Sequence, residues 1–252
     1  MRESRYILGM RVDGTTYDDA CNFILEKTRL NHSTYVCVSN VHMVMEAFDS
    51  AEFKRIVNNA ALVTPDGMPL VWALKALGLK NVERVYGPSL TPFICRKAEE
   101  TGTPVGFYGG TPSLLKKLKE KLKVEFPKLD ISYMFCPPFS PLTKDEDEEI
   151  IKQIRSCGVK ILFVGLGCPK QEVWMFRHCD NLEVVMVGVG AAFDFMAGAK
   201  PQAPQFIQQA GLEWLYRLTT EPTRLWKRYL YNNPRFIYYF GRQLLGLTNF
   251  DE

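Results

Sequence analysis

Asp66 sits in Thr64-Pro65-Asp66-Gly67-Met68-Pro69, directly behind an apolar run that reads as a strand. A carboxylate at the carboxyl end of a buried strand stands where α/β folds bind their ligands, and Pro65 and Gly67 fix the turn around it. The same pattern also fits an Asx-turn or a cap on the next helix. Val38-Ser39-Asn40 is a second strand end with two small polar side chains, both also common as helix caps. In Gly106-Phe107-Tyr108-Gly109-Gly110-Thr111-Pro112 a glycine-rich turn feeds a helix start, offering backbone N–H groups and a positive dipole to an anion. Its glycine order is not that of a dinucleotide fingerprint, and a plain tight turn is the competing reading. Gly165-Leu166-Gly167-Cys168-Pro169-Lys170-Gln171-Glu172 puts Gln171 and Glu172 in a first helical turn at another strand end, where capping alone also accounts for Glu172. Gly188-Val189-Gly190-Ala191-Ala192-Phe193-Asp194 permits close backbone approach and places Asp194 at a helix start or against a ligand.

These turns need a scaffold, and the hydrophobic pattern supplies one. Strands are expected at 35–39, 61–64, 104–108, 131–135, 160–165 and 183–189, several of them apolar without alternation, as strands covered on both faces are. Helices are expected near 41–59, 68–78, 88–101, 112–125, 144–157 and 170–178. Repeated β-then-α order predicts an α/β, Rossmann-like domain with a mainly parallel sheet flanked by helices, spanning 1–200. Two helix starts are well marked, by Thr111 before Pro112 and by the Thr143…Glu146 capping box. That box sets aside Asp145-Glu146-Asp147 as a cation-binding Asp-x-Asp, because acids at a helix start need no metal to explain them.

Composition removes several classes. The chain has 252 residues, 46% hydrophobic and 23% charged, an ordinary globular balance rather than a disordered or collagenous one. Its seven cysteines are odd in number and unpaired in spacing, which fits reduced thiols better than a disulfide framework or a zinc ribbon. The three histidines have no metal-ligand spacing. No apolar stretch follows the charged N-terminus, so no signal peptide is expected, and no run approaches the ~20 residues of a spanning helix.

The net charge of +3 conceals an uneven distribution. After Pro201-Gln202-Ala203-Pro204 the strand signals stop, and 201–252 read as a helical appendage interrupted at Pro222 and Pro234. Residues 214 to 243 carry six cations (Arg217, Arg224, Lys227, Arg228, Arg235 and Arg242) against one acid, Glu221, with Trp and Tyr interleaved. Basic aromatic helices suit an anionic membrane surface. A homo-oligomer interface is the main alternative, ahead of single-stranded nucleic acid.

In order and spacing these stretches resemble the WecG/TagA/CpsF family of bacterial glycosyltransferases over nearly the whole chain. The likeness runs from Ile7–Asp13 through Ser39-Asn40, Pro65–Pro69, Glu83-Arg84-Val85 with Gly87, and Phe107–Gly110. It continues through Gly165–Glu172 and Gly188–Asp194 to Gly211–Trp214 and Arg217. The resemblance implies an inverting transfer from a UDP-sugar, N-acetylmannosamine or a related hexose, to a sugar on a polyprenyl diphosphate. The enzyme would then lie peripherally on the cytoplasmic face of the cell membrane. Asp66 would be the general base, with Ser39, Asn40 and Gln171 about the sugars and Arg84 near the active site as a further substrate contact. Gly109, Gly110, Glu172 and Asp194 complete the candidate substrate contacts. Arg217, Arg224 and Arg228 would meet diphosphate oxygens, and no cofactor or metal is implied. Two positions depart from the family pattern. Ser89 stands where many relatives carry Asp, which bears on sugar specificity, and Ser39 replaces a Thr but keeps the hydroxyl. A nucleotide-cofactor oxidoreductase and a non-enzymatic anion-binding scaffold are the rival readings.

Overall fold

The computed structural model describes residues 3–138 and 140–250. All six expected strands are present: Thr34–Ser39 (β3), Leu62–Pro65 (β4), Val105–Gly109 (β5), Ile131–Phe135 (β6), Ile161–Gly165 (β7) and Val185–Gly188 (β8). They form one parallel sheet in the order β4-β3-β8-β7-β5-β6. Residues from Thr34 to Ser39 are buried without interruption, because helices cover both faces. Tyr35 and Cys37 point into one apolar core, Val36 and Val38 into the other.

Three elements ahead of β3 escape the periodicity reading. Ser4–Ile7 (β1) and Met10–Asp13 (β2) form an antiparallel hairpin whose turn, Leu8-Gly9, has both residues at positive φ, 52° and 81°. Tyr17–Arg29 (α1) follows, capped by Thr16, whose side chain accepts from the Asp19 N–H. The expected helix over 41–59 is two, Val41–Asp49 (α2) and Ala51–Asn58 (α3), because Ser50 ends one and caps the next. Met68–Ala76 (α4), Gly87–Thr101 (α5), Pro112–Glu125 (α6), Lys144–Ser156 (α7) and Lys170–His178 (α8) match expectation closely. Thr111 accepts from Leu114 N–H at 3.2 Å, and Thr143 and Glu146 complete their box. Asp147 pairs with His178 of α8 at 3.3 Å, so this acid ties two helices together.

Ala192–Met196 (α9), Gln205–Gln209 (α10), Glu213–Thr220 (α11) and Pro222–Leu244 (α12) complete the chain. Pro222 begins α12, where its missing N–H costs nothing, but Pro234 lies inside a continuous helix and does not interrupt it. The C-terminal half of α12 returns to the body. Phe236 and Phe240 join the core, and the Gln243 side chain donates to Tyr6 O at 2.7 Å and accepts from Leu8 N–H at 3.0 Å. Arg235 grips Asp49 through two nitrogens. This packing brings α11 and the first half of α12 over the carboxyl edge of the sheet.

Candidate functional site

The strand register sets the geometry. Ser39 lies beside Pro65, Cys37 beside Gly188, Val164 beside Gly188 and Gly109 beside Gly165, so five strands end at one level. Asp66 follows β4 at one edge of this shelf. Its N–H donates to Ser39 O at 2.7 Å, and the Ser39 hydroxyl donates to Thr64 O at 2.7 Å. Ser39 is fully buried, so its side chain fastens the β3 and β4 ends together beneath Asp66. Asn40 caps α2, its Oδ1 accepting from the N–H groups of His42 and Met43, and its Nδ2 takes no part in that cap.

Asp66 lies at the centre of a charged cluster assembled from distant segments. Arg84 Nε donates to the Asp66 carbonyl at 2.5 Å, and Arg84 Nη2 stands 3.7 Å from Asp66 Oδ1. The same Nη2 donates to Glu213 Oε2 of α11. The guanidinium stacks over Tyr86 at 4.2 Å, and Tyr86 and Glu213 lie close enough to act on one another. Burial pushes the Asp66 carboxyl up to about 7, Arg84 and Arg217 pulling it down and Glu213 adding to the rise. Its side chain keeps 18% exposure, so a ligand can reach it. Such a carboxyl is half-ionised near neutrality, the range in which a general base works best. Ser89 is exposed beside this cluster and close enough to act on the Tyr17 hydroxyl, which accepts from Tyr86 N–H at 3.0 Å.

The other strand ends differ in character. Gln171 is buried, its Oε1 accepting from Gly167 and Gly190 N–H groups at 3.1 Å and its Nε2 donating to Glu172 Oε1 at 2.7 Å. Gln171 thus pins the loops after β7 and β8 and holds the shelf in shape. Glu172 is completely buried and its Oε2 has no hydrogen-bond partner. Burial raises it to about 7, with Arg228 opposing the rise. Gly109, at φ 127°, lies against Gly165, where an added Cβ would meet the Gly165 carbonyl oxygen at 2.6 Å, so close approach requires this glycine. Gly109 and Gly110 lie four strands from Asp66, ~19 Å at the usual strand spacing. Asp194 pairs with Lys200 at 3.6 Å, and Lys200 also holds Glu221 at 3.1 Å.

Three arginines overhang the shelf. Arg217 stacks on Phe195 at 5.5 Å, near enough to act on Asp66, and its Nε is buried without a partner. Arg228 is pushed down by burial and by repulsion from Arg217 and Arg224. Arg224 pairs with Glu221 at 2.7 Å and is half-exposed. Beneath Arg228, His42 is neutral at pH 7, since burial and Arg228 lower it to about 4, and it accepts from Asn232 at 3.1 Å. Guanidinium groups drawn together are suited to an oxyanion. Among the described residues no group of three His, Cys, Asp or Glu is placed to hold a metal ion.

Sequence reasoning missed Glu213 and Tyr86, which shape the Asp66 cluster from elements it had not joined to it. One signal was available: Glu213 is an acid at the threshold of a segment otherwise rich in cations.

A profile of the glycosyl transferase WecG/TagA/CpsF family matches residues 5–249. The chain is 30% identical over 217 residues to a Bacillus spizizenii protein, the match covering 84% of this chain and 81% of that one. That relative is the N-acetylglucosaminyldiphosphoundecaprenol N-acetyl-beta-D-mannosaminyltransferase. An α/β shelf with a raised carboxyl at one strand end and clustered arginines above it thus meets a family match over almost the whole chain, and the protein belongs to the WecG/TagA/CpsF family of glycosyltransferases.

Proposed function

We propose that this enzyme transfers N-acetylmannosamine, or a closely related hexose, from a UDP-sugar to an N-acetylglucosamine carried on a polyprenyl diphosphate. Asp66 takes the proton from the acceptor hydroxyl as that oxygen bonds to the anomeric carbon. The carbon–oxygen bond to UDP breaks from the opposite face, its electron pair leaving with the diphosphate, so the anomeric configuration inverts. Arg217, Arg224 and Arg228 receive diphosphate charge, while Arg84, Asn40 and the loops pinned by Gln171 shape the sugar sites. The observation that carries this reading is the reachable Asp66 carboxyl, raised to about 7 at a strand end beneath arginines. Incubation with UDP-N-acetylmannosamine and a lipid-linked N-acetylglucosamine is expected to yield a β-linked disaccharide lipid. No product with any UDP-hexosamine would overturn the assignment.

Residues 1–200 act as the catalytic body and 201–252 as the part that meets the cytoplasmic leaflet. Trp226, Leu230, Ile237 and Leu244 are exposed along one side of α12, with Phe206, Leu212 and Trp214 exposed nearby. An apolar stripe of this size on an amphipathic basic helix favours an interfacial position. No helix among the described residues is long and apolar enough to cross a membrane. Flotation with anionic vesicles is expected to carry the protein upward. A dimer in detergent-free solution that ignores vesicles would assign the stripe to self-association instead.

A further inference from the structure

We infer that Glu213 is a positioning residue for the base: it holds the Arg84 guanidinium off the Asp66 carboxylate, so that Asp66 is left ready for a substrate hydroxyl. This rests on the reading of Asp66 as the base. Arg84 has one terminal nitrogen, Nη2, within reach of two carboxylates. Glu213 makes the close contact and Asp66 stands back at 3.7 Å. Two further contacts keep that division. Arg84 Nε is committed to the Asp66 carbonyl at 2.5 Å, and its plane is fixed over the Tyr86 ring at 4.2 Å. Tyr86 also lies close enough to act on Glu213. Glu213 and Tyr86 are both buried, so this arrangement is not a mobile surface pair.

Without the Glu213 charge, Nη2 would have Asp66 as its only nearby carboxylate. A tight guanidinium–carboxylate pair would occupy the oxygens needed for proton transfer and weaken the base, since an opposite charge in contact favours the ionised form. The groups facing Asp66 are Arg84, Arg217 and Glu213, with Tyr17 and Tyr86 at the edge of the cluster. Only Glu213 among the two acids of this cluster can oppose the arginines on behalf of Asp66.

The test is the pH dependence of kcat/KM for the full-length enzyme, which reports the free enzyme's base. Wild type is expected to show an acid limb near pH 7. Glu213→Gln is expected to move that limb down by about one pH unit or more and to lower the rate on the alkaline plateau. Tyr86→Phe keeps the ring under Arg84 but loses the hydroxyl that acts on Glu213, and is expected to move the limb the same way by less. If Glu213→Gln does not fold, Tyr86→Phe decides the matter alone. An acid limb that stays in place in the folded variants, whatever the loss of rate, would overturn the inference. The two levels separate cleanly. Full turnover by Asp66→Asn defeats the base itself, whereas an inactive Asp66→Asn beside an unmoved Glu213→Gln limb defeats only the role of Glu213.

Discussion

Asp66 and Glu172 stand at the carboxyl edge of the same sheet, and burial raises both to about 7. Their surroundings differ in one decisive respect. Asp66 keeps an exposed edge and lies among Arg84, Arg217 and Glu213, each from a segment that closes over the shelf. Glu172 is sealed beneath Gln171 and beside Cys168, with one oxygen left without a partner. A raised carboxyl is therefore a poor guide to function until its reach is known. In this protein one raised carboxyl can be reached by a ligand and the other cannot.

That contrast is broken or sharpened by substitution. The largest effect is expected from Asp66→Asn, a loss of roughly 10²–10⁴-fold in kcat with an unchanged circular dichroism spectrum. Replacing Arg217 by Ala comes next. It would remove the charged contact to diphosphate proposed for this residue, and kcat/KM is expected to fall about 10–100-fold, on the scale of 1.5–3 kcal/mol for a charge-assisted hydrogen bond. Glu172→Gln is expected to leave kcat within a few-fold of wild type and to act on stability. The folded pKa of Glu172 lies above the unfolded one, so the fold holds the extra proton between the ordinary carboxylate range and about pH 7. Stability from this group is thus lost as pH rises through that window. The Gln variant should therefore melt higher than wild type at pH 8, by about 2–4 °C for each kcal/mol recovered, and show no such gain at pH 4. A rate collapse in Glu172→Gln would erase the distinction between the two carboxyls. The smallest effect belongs to Ser89→Asp, expected to change KM for the donor several-fold at most while kcat holds, since Ser89 borders the cluster without touching Asp66.

Much of this was legible in the residues. The six strands of the parallel sheet announced themselves as short β-rich runs, and Thr111-Pro112 and Thr143…Glu146 marked their helices because caps are local chemistry. The β1–β2 hairpin was not legible, since its turn is Leu8-Gly9 rather than the Asn-Gly that signals two positive-φ residues. Pro234 misled for the opposite reason: a local rule predicted an interruption where tertiary packing of Phe236 and Phe240 carries the helix through. At the site, Asp66, Arg84 and Arg217 could be named from their motifs. The Arg84–Glu213 contact could not, as it joins residues 129 positions apart and exists only once α11 folds back. Gln171 and Ser39 were placed near the sugars by their motifs, but their side-chain hydrogen bonds are spent on holding strand ends together.

The central claim is that Asp66, ionising near neutrality, is the base. The most direct measurement is kcat/KM against pH for wild type and Asp66→Asn with the same UDP-sugar and lipid-linked acceptor. Wild-type activity should climb as pH rises through about 7 and then level, because the carboxyl must lose its proton to work. The Asn variant should be slow and lack that rise. An Asp66→Asn enzyme that keeps wild-type rates, or that retains the same acid limb, would contradict the account.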